Sequence, residues 1–105
     1  MRYPTYDLMM QDMAREFIRN INPPPTWAQA LNVSGEAGEF AEAFRRYSGN
    51  ARRPGSLLDV SKELADVIIS AVCMAELLGL DAATIVHDKW EEIFIRGYGD
   101  QRKID

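Results

Sequence analysis

Four acidic residues in two short motifs carry the chemistry this sequence offers. Gly35-Glu36-Ala37-Gly38-Glu39 and Glu63-Leu64-Ala65-Asp66 each set two carboxylates three residues apart, and residues at i and i+3 share one face of a helix. If the two helices pack antiparallel, both pairs point into one gap. Four carboxylates gathered there repel one another unless cations neutralise them. Neither motif contains a basic residue, although Lys62 adjoins the second. Asp66 is the most telling of the four. It stands inside the apolar run 64–78, where an unpaired carboxylate costs several kcal/mol or is driven to protonate.

A set of oxygen ligands selects a hard cation, Mg²⁺ or Mn²⁺. Mg²⁺ keeps part of its water shell and completes it with substrate phosphate, so such a site suits a nucleotide better than a permanent structural metal. Gly35 and Gly38 each cost about 1 kcal/mol against alanine inside a helix, which points to close approach of a ligand or a neighbouring helix beside the acids. Glu42, by contrast, reads as a solvated acid on a polar face.

Four helices have to position these groups. Tyr6, Met9, Met10, Met13, Phe17 and Ile21 recur at spacings of three and four, which predicts a first helix from about Thr5 to Asn20. Asn22-Pro23-Pro24-Pro25 stops it. Thr26, with Gln29 three residues on, reads as an N-cap with a capping box. The second helix then runs to about Ser48, stops at Gly49, and buries Leu31, Phe40, Ala43, Phe44 and Tyr47. The loop 49–55 follows. Ser56 caps a third helix ending at Gly79; Asp81 caps a fourth, running to about Ile95 and closed by Gly97. No period-two alternation appears, so the fold class is all-α, a four-helix bundle. The third helix is apolar around its whole circumference from Leu64 to Leu78. Three helices in 105 residues can hardly cover it, so its far side is expected to pack on another copy of the chain.

Composition narrows the function classes. The 105 residues are expected to form one domain, 1–105, with a core small enough to favour oligomerisation. A net charge of −4 argues against a nucleic-acid polymer as partner, which would require a basic face. Arg45, Arg46, Arg52 and Arg53 read as solvated helix-end charge. Cys73 stands alone in the sequence, which rules out an internal disulfide and a cysteine-rich zinc site; it reads as a small core residue. The N-terminal stretch lacks a signal-peptide pattern, and Asp66 and Glu76 interrupt the longest apolar run. The expectation is therefore no membrane partner and a cytoplasmic location.

The two motifs, with a spacer from Phe40 to Lys62 between them, resemble the MazG family of all-α nucleoside triphosphate pyrophosphohydrolases, as do SGEAGEFAEAF, KELADVIISAV and DKWEEIFIRGYG. The likeness covers roughly residues 26–98. It implies Mg²⁺-dependent hydrolysis of a nucleoside or deoxynucleoside triphosphate to the monophosphate and pyrophosphate, in the manner of nucleotide-pool housekeeping. It carries the metal-ligand role to Glu36, Glu39, Glu63 and Asp66, with a glutamate such as Glu39 orienting or deprotonating the attacking water. It also points to Lys89 and Arg96 for phosphate contact; they lie seven residues apart and so on one helix face. Trp27 corresponds to an aromatic near the nucleobase in some members. Relatives assemble as dimers or as tetramers of paired dimers.

Trp90 reads as core or interface, and His87, the only histidine, as structural or exposed. Without a Glu-x-x-His pair, a redox di-iron bundle is disfavoured. A non-catalytic helical module that binds nucleotide or protein is the rival reading.

Overall fold

The computed structural model describes residues 6–20, 25–49 and 54–98. Helices account for nearly all of them: α1 (Tyr6–Asn20), α2 (Thr26–Tyr47), α3 (Leu57–Leu77) and α4 (Ala82–Ile93), which runs on into a π-helical turn, Phe94–Tyr98. No strand occurs among the described residues. Among the described residues the all-α expectation and the count of four helices hold.

The helix ends follow from local chemistry. At the start of α3 the Ser56 side chain accepts from the Asp59 backbone N–H while the Asp59 carboxylate accepts from the Ser56 N–H, a complete capping box. Asp81 caps α4 by accepting from the backbone N–H of Thr84. α3 closes in a Schellman turn: Leu80 N–H donates to Ala75 and Gly79 N–H to Glu76. Gly79 takes φ +72° there, a conformation that costs a side-chain-bearing residue strain. Gly55 serves the other connection, since a Cβ would lie 3.0 Å from the Arg46 Cβ and 3.1 Å from the Tyr47 nitrogen.

Two expected helix ends are corrected. Thr26 is the first helical residue rather than the cap, which falls at Pro25 with no side-chain bond. Gln29 closes no capping box because its amide turns inward to α3. Nor does Gly97 close α4; it lies within the π turn, where the backbone continues past Ile93. Thr5, Ile21, Asn22, Pro23, Pro24, Arg52 and Arg53 lie outside the described residues, as does the side chain of Tyr6.

The α2–α3 hairpin is the frame of the molecule, and its register is antiparallel. Gln29, early in α2, bonds Ser70, late in α3, while Arg46 at the end of α2 meets Gly55 just before α3. Glu36 is seven residues on from Gln29, and Glu63 is seven residues back from Ser70. The two glutamates therefore sit across from one another two turns along the seam. Ala43, a further seven residues on, is 1% exposed and closes the inner line of α2. α1 lies along α3, tied by Arg15 to Glu76 at 3.6 Å. Buried Gln11 accepts from the Ala83 N–H and pins α1 to the first turn of α4. α4 touches α1 and α3 but not α2.

The buried residues are mostly small: Ala14, Ala43, Val60, Cys73, Ala75 and Ala82. The expectation that Leu31, Phe44 and Tyr47 are interior is corrected, since all three are exposed in the single chain. On α1 the inward line is Gln11 and Ala14, leaving Met13 and Phe17 outside. α3 leaves Leu64, Ile68 and Ile69 uncovered, and Trp90 is exposed and stacked on Phe94 at 5.5 Å rather than buried. Among the described residues no single helix is long and apolar enough to cross a membrane.

Candidate metal centre

Glu36 and Glu39 come from the middle of α2, Glu63 from the second turn of α3, and the hairpin register brings them together. One carboxylate oxygen from each lies within 4.8 Å of the others, a spacing that a divalent cation spans with oxygen ligands. Glu36 and Glu63 are half-buried, and one oxygen of each, Oε2, is out of reach of solvent with no hydrogen-bond partner. Leaving a buried acceptor unsatisfied costs about 1–3 kcal/mol, more when it is charged. Two such orphans facing one seam mark a site incomplete without a donor or a cation.

The electrostatics agree. Burial raises the Glu36 carboxyl above its ordinary value, and the negative charges of Glu39, Asp66 and Glu63, with a hydrogen bond shared with Glu39, push the same way. Among the described residues no ion pair joins a basic side chain to any of the four acids. An oxygen-only set of three or four carboxylates fits a hard divalent cation.

Asp66 requires a correction. It does not lie in an apolar interior: its residue is exposed, and only its charge reaches Glu36. The apolar run is exposed along that side of α3, so the desolvation argument belongs to Glu36 and Glu63 instead. Asp66 lies at the rim of the centre and joins Glu36 in lining a cleft between the helices.

The other expected site residues are not brought here. Trp27 is 68% exposed and precedes Glu36 by nine residues, about 180° around α2 and thus on the opposite face. Lys89 and Arg96 do share a face, since both hold Glu92 Oε1, at 3.1 and 3.3 Å. Their helix, however, does not touch α2. Glu42 is not simply solvated but carries ion pairs to Arg45 at 2.7 Å and Arg46 at 3.6 Å; the Arg45 hydrogen bond first, then the two positive charges, lower its pKa. No residue lies within 4 Å of a Cβ built on Gly35 or Gly38. The neighbouring helix is therefore not what those glycines admit, and the space beside them is open.

Sequence reasoning missed Gln29, Asn32 and Ser70, which line the cleft next to the carboxylates. The signal was present: Gln29 precedes Glu36 by two helical turns and so lies on the same face.

A helical hairpin with paired acids across its seam is an arrangement that could hold a divalent cation, and the comparison with known families adds the family. The chain belongs to the MazG family: the MazG nucleotide pyrophosphohydrolase domain matches residues 28–93. The matched span includes all four acids and Lys89, and excludes Trp27 and Arg96. No curated protein and no solved structure matches the chain.

Proposed function

We propose that the chain hydrolyses a nucleoside or deoxynucleoside triphosphate at the α–β phosphoanhydride, releasing the monophosphate and pyrophosphate, with Mg²⁺ (or Mn²⁺) held by Glu36, Glu39, Glu63 and Asp66. The observation that carries this reading is the gathering of one carboxylate oxygen each from Glu36, Glu39 and Glu63 within 4.8 Å of one another, with Oε2 of both Glu36 and Glu63 buried and unpartnered. A bound divalent cation supplies neutralisation of phosphate charge and a lowered pKa for an attacking water.

The chain's own groups divide the remaining work. Glu36 and Glu63, half-buried on facing helices, grip from the seam. Glu39 is exposed and open to water, which suits it to orient the nucleophile and accept its proton. Asp66 completes the set from the rim. Water adds to the α-phosphorus, the bond to the bridging oxygen breaks, and pyrophosphate leaves.

The whole chain acts as one helical domain in this reading, and it works as a homo-oligomer. The uncovered Leu64, Ile68 and Ile69 on α3, with Met13 and Phe17 on α1, form an apolar face that a second copy would bury. Within one chain Lys89 and Arg96 stay with Glu92 on a helix clear of α2, so their phosphate role is proposed only across an interface between copies. Trp27 would likewise reach a substrate only from such an interface.

Pyrophosphate release from a panel of triphosphates, measured with and without Mg²⁺, tests the activity. Turnover that requires the metal and disappears in Glu39→Gln and Asp66→Asn is the expected result. Nucleotide binding without turnover would leave a non-catalytic module instead. Sedimentation velocity tests the assembly: an oligomer is expected for the wild type and a smaller species for Ile68→Glu.

A further inference from the structure

Among the described residues two glutamines are buried, and each bridges a pair of helices. Gln11 is 7% exposed and accepts from the Ala83 N–H at 3.3 Å, joining α1 to α4. Gln29 is 6% exposed. Its Nε2 donates to the Ser70 backbone carbonyl at 3.0 Å and to the Ser70 hydroxyl at 3.2 Å, joining α2 to α3. Only the second pair of helices carries the carboxylates.

Among the described residues α2 packs on α3 and on no other helix. The position of Glu36 and Glu39 relative to Glu63 is therefore set by that one seam. The other buried residue of α2 is Ala43, and α3 buries Val60 and Ala75. Small apolar side chains such as these have no partner that a slip would take away. Gln29 and Ser70 do. A slip of one residue moves a helix by about 1.5 Å and turns it by about 100°, which parts the amide from its acceptors and leaves buried polar atoms unpaired. Fixing a register in this way is the best-attested use of a buried polar group.

The carboxylates act in the opposite sense. The negative charges of Glu39, Asp66 and Glu63 all bear on Glu36, and across the seam they press α2 and α3 apart until a cation is held. The hairpin is clasped on either side of them. At the loop end the Gly55 N–H donates to the Arg46 carbonyl at 3.1 Å, ten residues or about 15 Å beyond Glu36. At the other end the Gln29 amide stands seven residues away, about 10.5 Å, and is the nearer clasp. The tolerance between them is small. Mg²⁺ holds its oxygens at about 2.0–2.1 Å, so opposite ligands stand about 4 Å apart, and a shift of about 1 Å between the helices takes an oxygen out of the shell.

We propose that Gln29, held by Ser70, is a positioning residue for the metal centre, fixing the α2–α3 register in which Glu36, Glu39 and Glu63 share one cation. This role rests on the metal reading given above, and adds to it a residue that acts through the helices rather than on the cation.

The test is Mn²⁺ binding to the full chain, followed by loss of the EPR signal of free aqueous Mn²⁺ at a temperature well below the Tm of every variant. Gln29→Met, which keeps the length of the side chain and removes the amide, is expected to weaken Mn²⁺ binding by about tenfold or more, the usual scale for a residue that orients metal ligands. Ser70→Ala keeps the backbone acceptor and loses the hydroxyl, so a weakening of about threefold is expected; it decides alone should Gln29→Met fail to fold. Gln11→Met is the control for a merely structural role. It should lower the Tm, as Gln29→Met does, and leave the Mn²⁺ affinity within about twofold of wild type, since α1 and α4 carry no ligand. Unchanged affinity in the Gln29 and Ser70 variants, or an equal loss in Gln11→Met, would overturn the positioning role and leave the metal site standing. A wild-type chain that binds no Mn²⁺ would remove the metal site and this role together.

Discussion

Glu36 and Glu42 stand six residues apart on one helix and meet opposite fates. Glu42 has Arg45 and Arg46 at i+3 and i+4 and is drawn into ion pairs that lower its pKa. The positions three and four away from Glu36 are Asn32, Val33, Glu39 and Phe40, so its helix supplies another acid and no cation. About 120° of helix rotation separates the two residues, which turns Glu42 toward solvent and Glu36 into the seam with α3. Burial and three neighbouring negative charges then raise the Glu36 pKa. A carboxylate that finds its counter-charge on the same helix is a surface feature; one that meets only further carboxylates across a seam asks for a cation from outside.

The sharpest way to break this contrast is turnover. Glu63→Gln or Glu39→Gln should lower pyrophosphate release by on the order of 100-fold or more, since each removes a ligand to the cation, whereas Glu42→Gln should leave it unchanged. Comparable losses in all three would show that the seam is not special.

Melting with metal comes next. Mg²⁺ at a hundredfold excess over its Kd should stabilise the folded chain by about 2.7 kcal/mol, and the gain should disappear in the Glu36→Gln, Glu63→Gln double variant. Stabilisation that survives in the double variant would place the cation elsewhere.

A third prediction concerns pH. A raised carboxyl pKa means that the folded chain holds its proton more tightly than the unfolded one. For Glu36 the resulting stability is fully present below its ordinary value of 4.5 and is lost as pH rises through the elevated value. The cation binds the ionised form, so its effect must grow across the same interval. The Mg²⁺-induced rise in Tm should be larger at pH 8 than at pH 5; equal shifts at both would contradict the assignment.

The smallest effect is expected without metal at neutral pH. Glu36→Gln should raise the Tm of the metal-free chain by relieving repulsion. Glu42→Gln should lower it slightly at most, because exposed ion pairs contribute little. A scan in which Glu36→Gln is the more damaging of the two would reverse the comparison.

Much of this was legible in the residue order. Ser56 and Asp81 cap their helices as their types and positions require, and Gly79 ends α3 where a positive φ is needed. The i, i+3 spacing of the acids, with the short link between α2 and α3, brings Glu36, Glu39 and Glu63 to one place. The misreadings share one physical origin. Side-chain type reports the tendency to be buried, but not which partner does the burying. Leu31, Phe44 and Tyr47 read as interior, yet within one chain all three are exposed. Asp66 read as buried for the same reason, because its apolar neighbours were assumed to be covered.

The sequence by itself determined the four helices, most of their ends and the pairing of acids on single faces, because those depend on contacts within three or four residues along the chain. Tertiary structure alone decided which acids lose water. The antiparallel register sets Glu36 against Glu63 and leaves an oxygen of each without a partner, while Asp66 stays at the rim. The same register turned Gln29 from an expected cap into a buried amide bonded to Ser70, 41 residues away. No local spacing encodes that, because the two residues meet only when the helices pack.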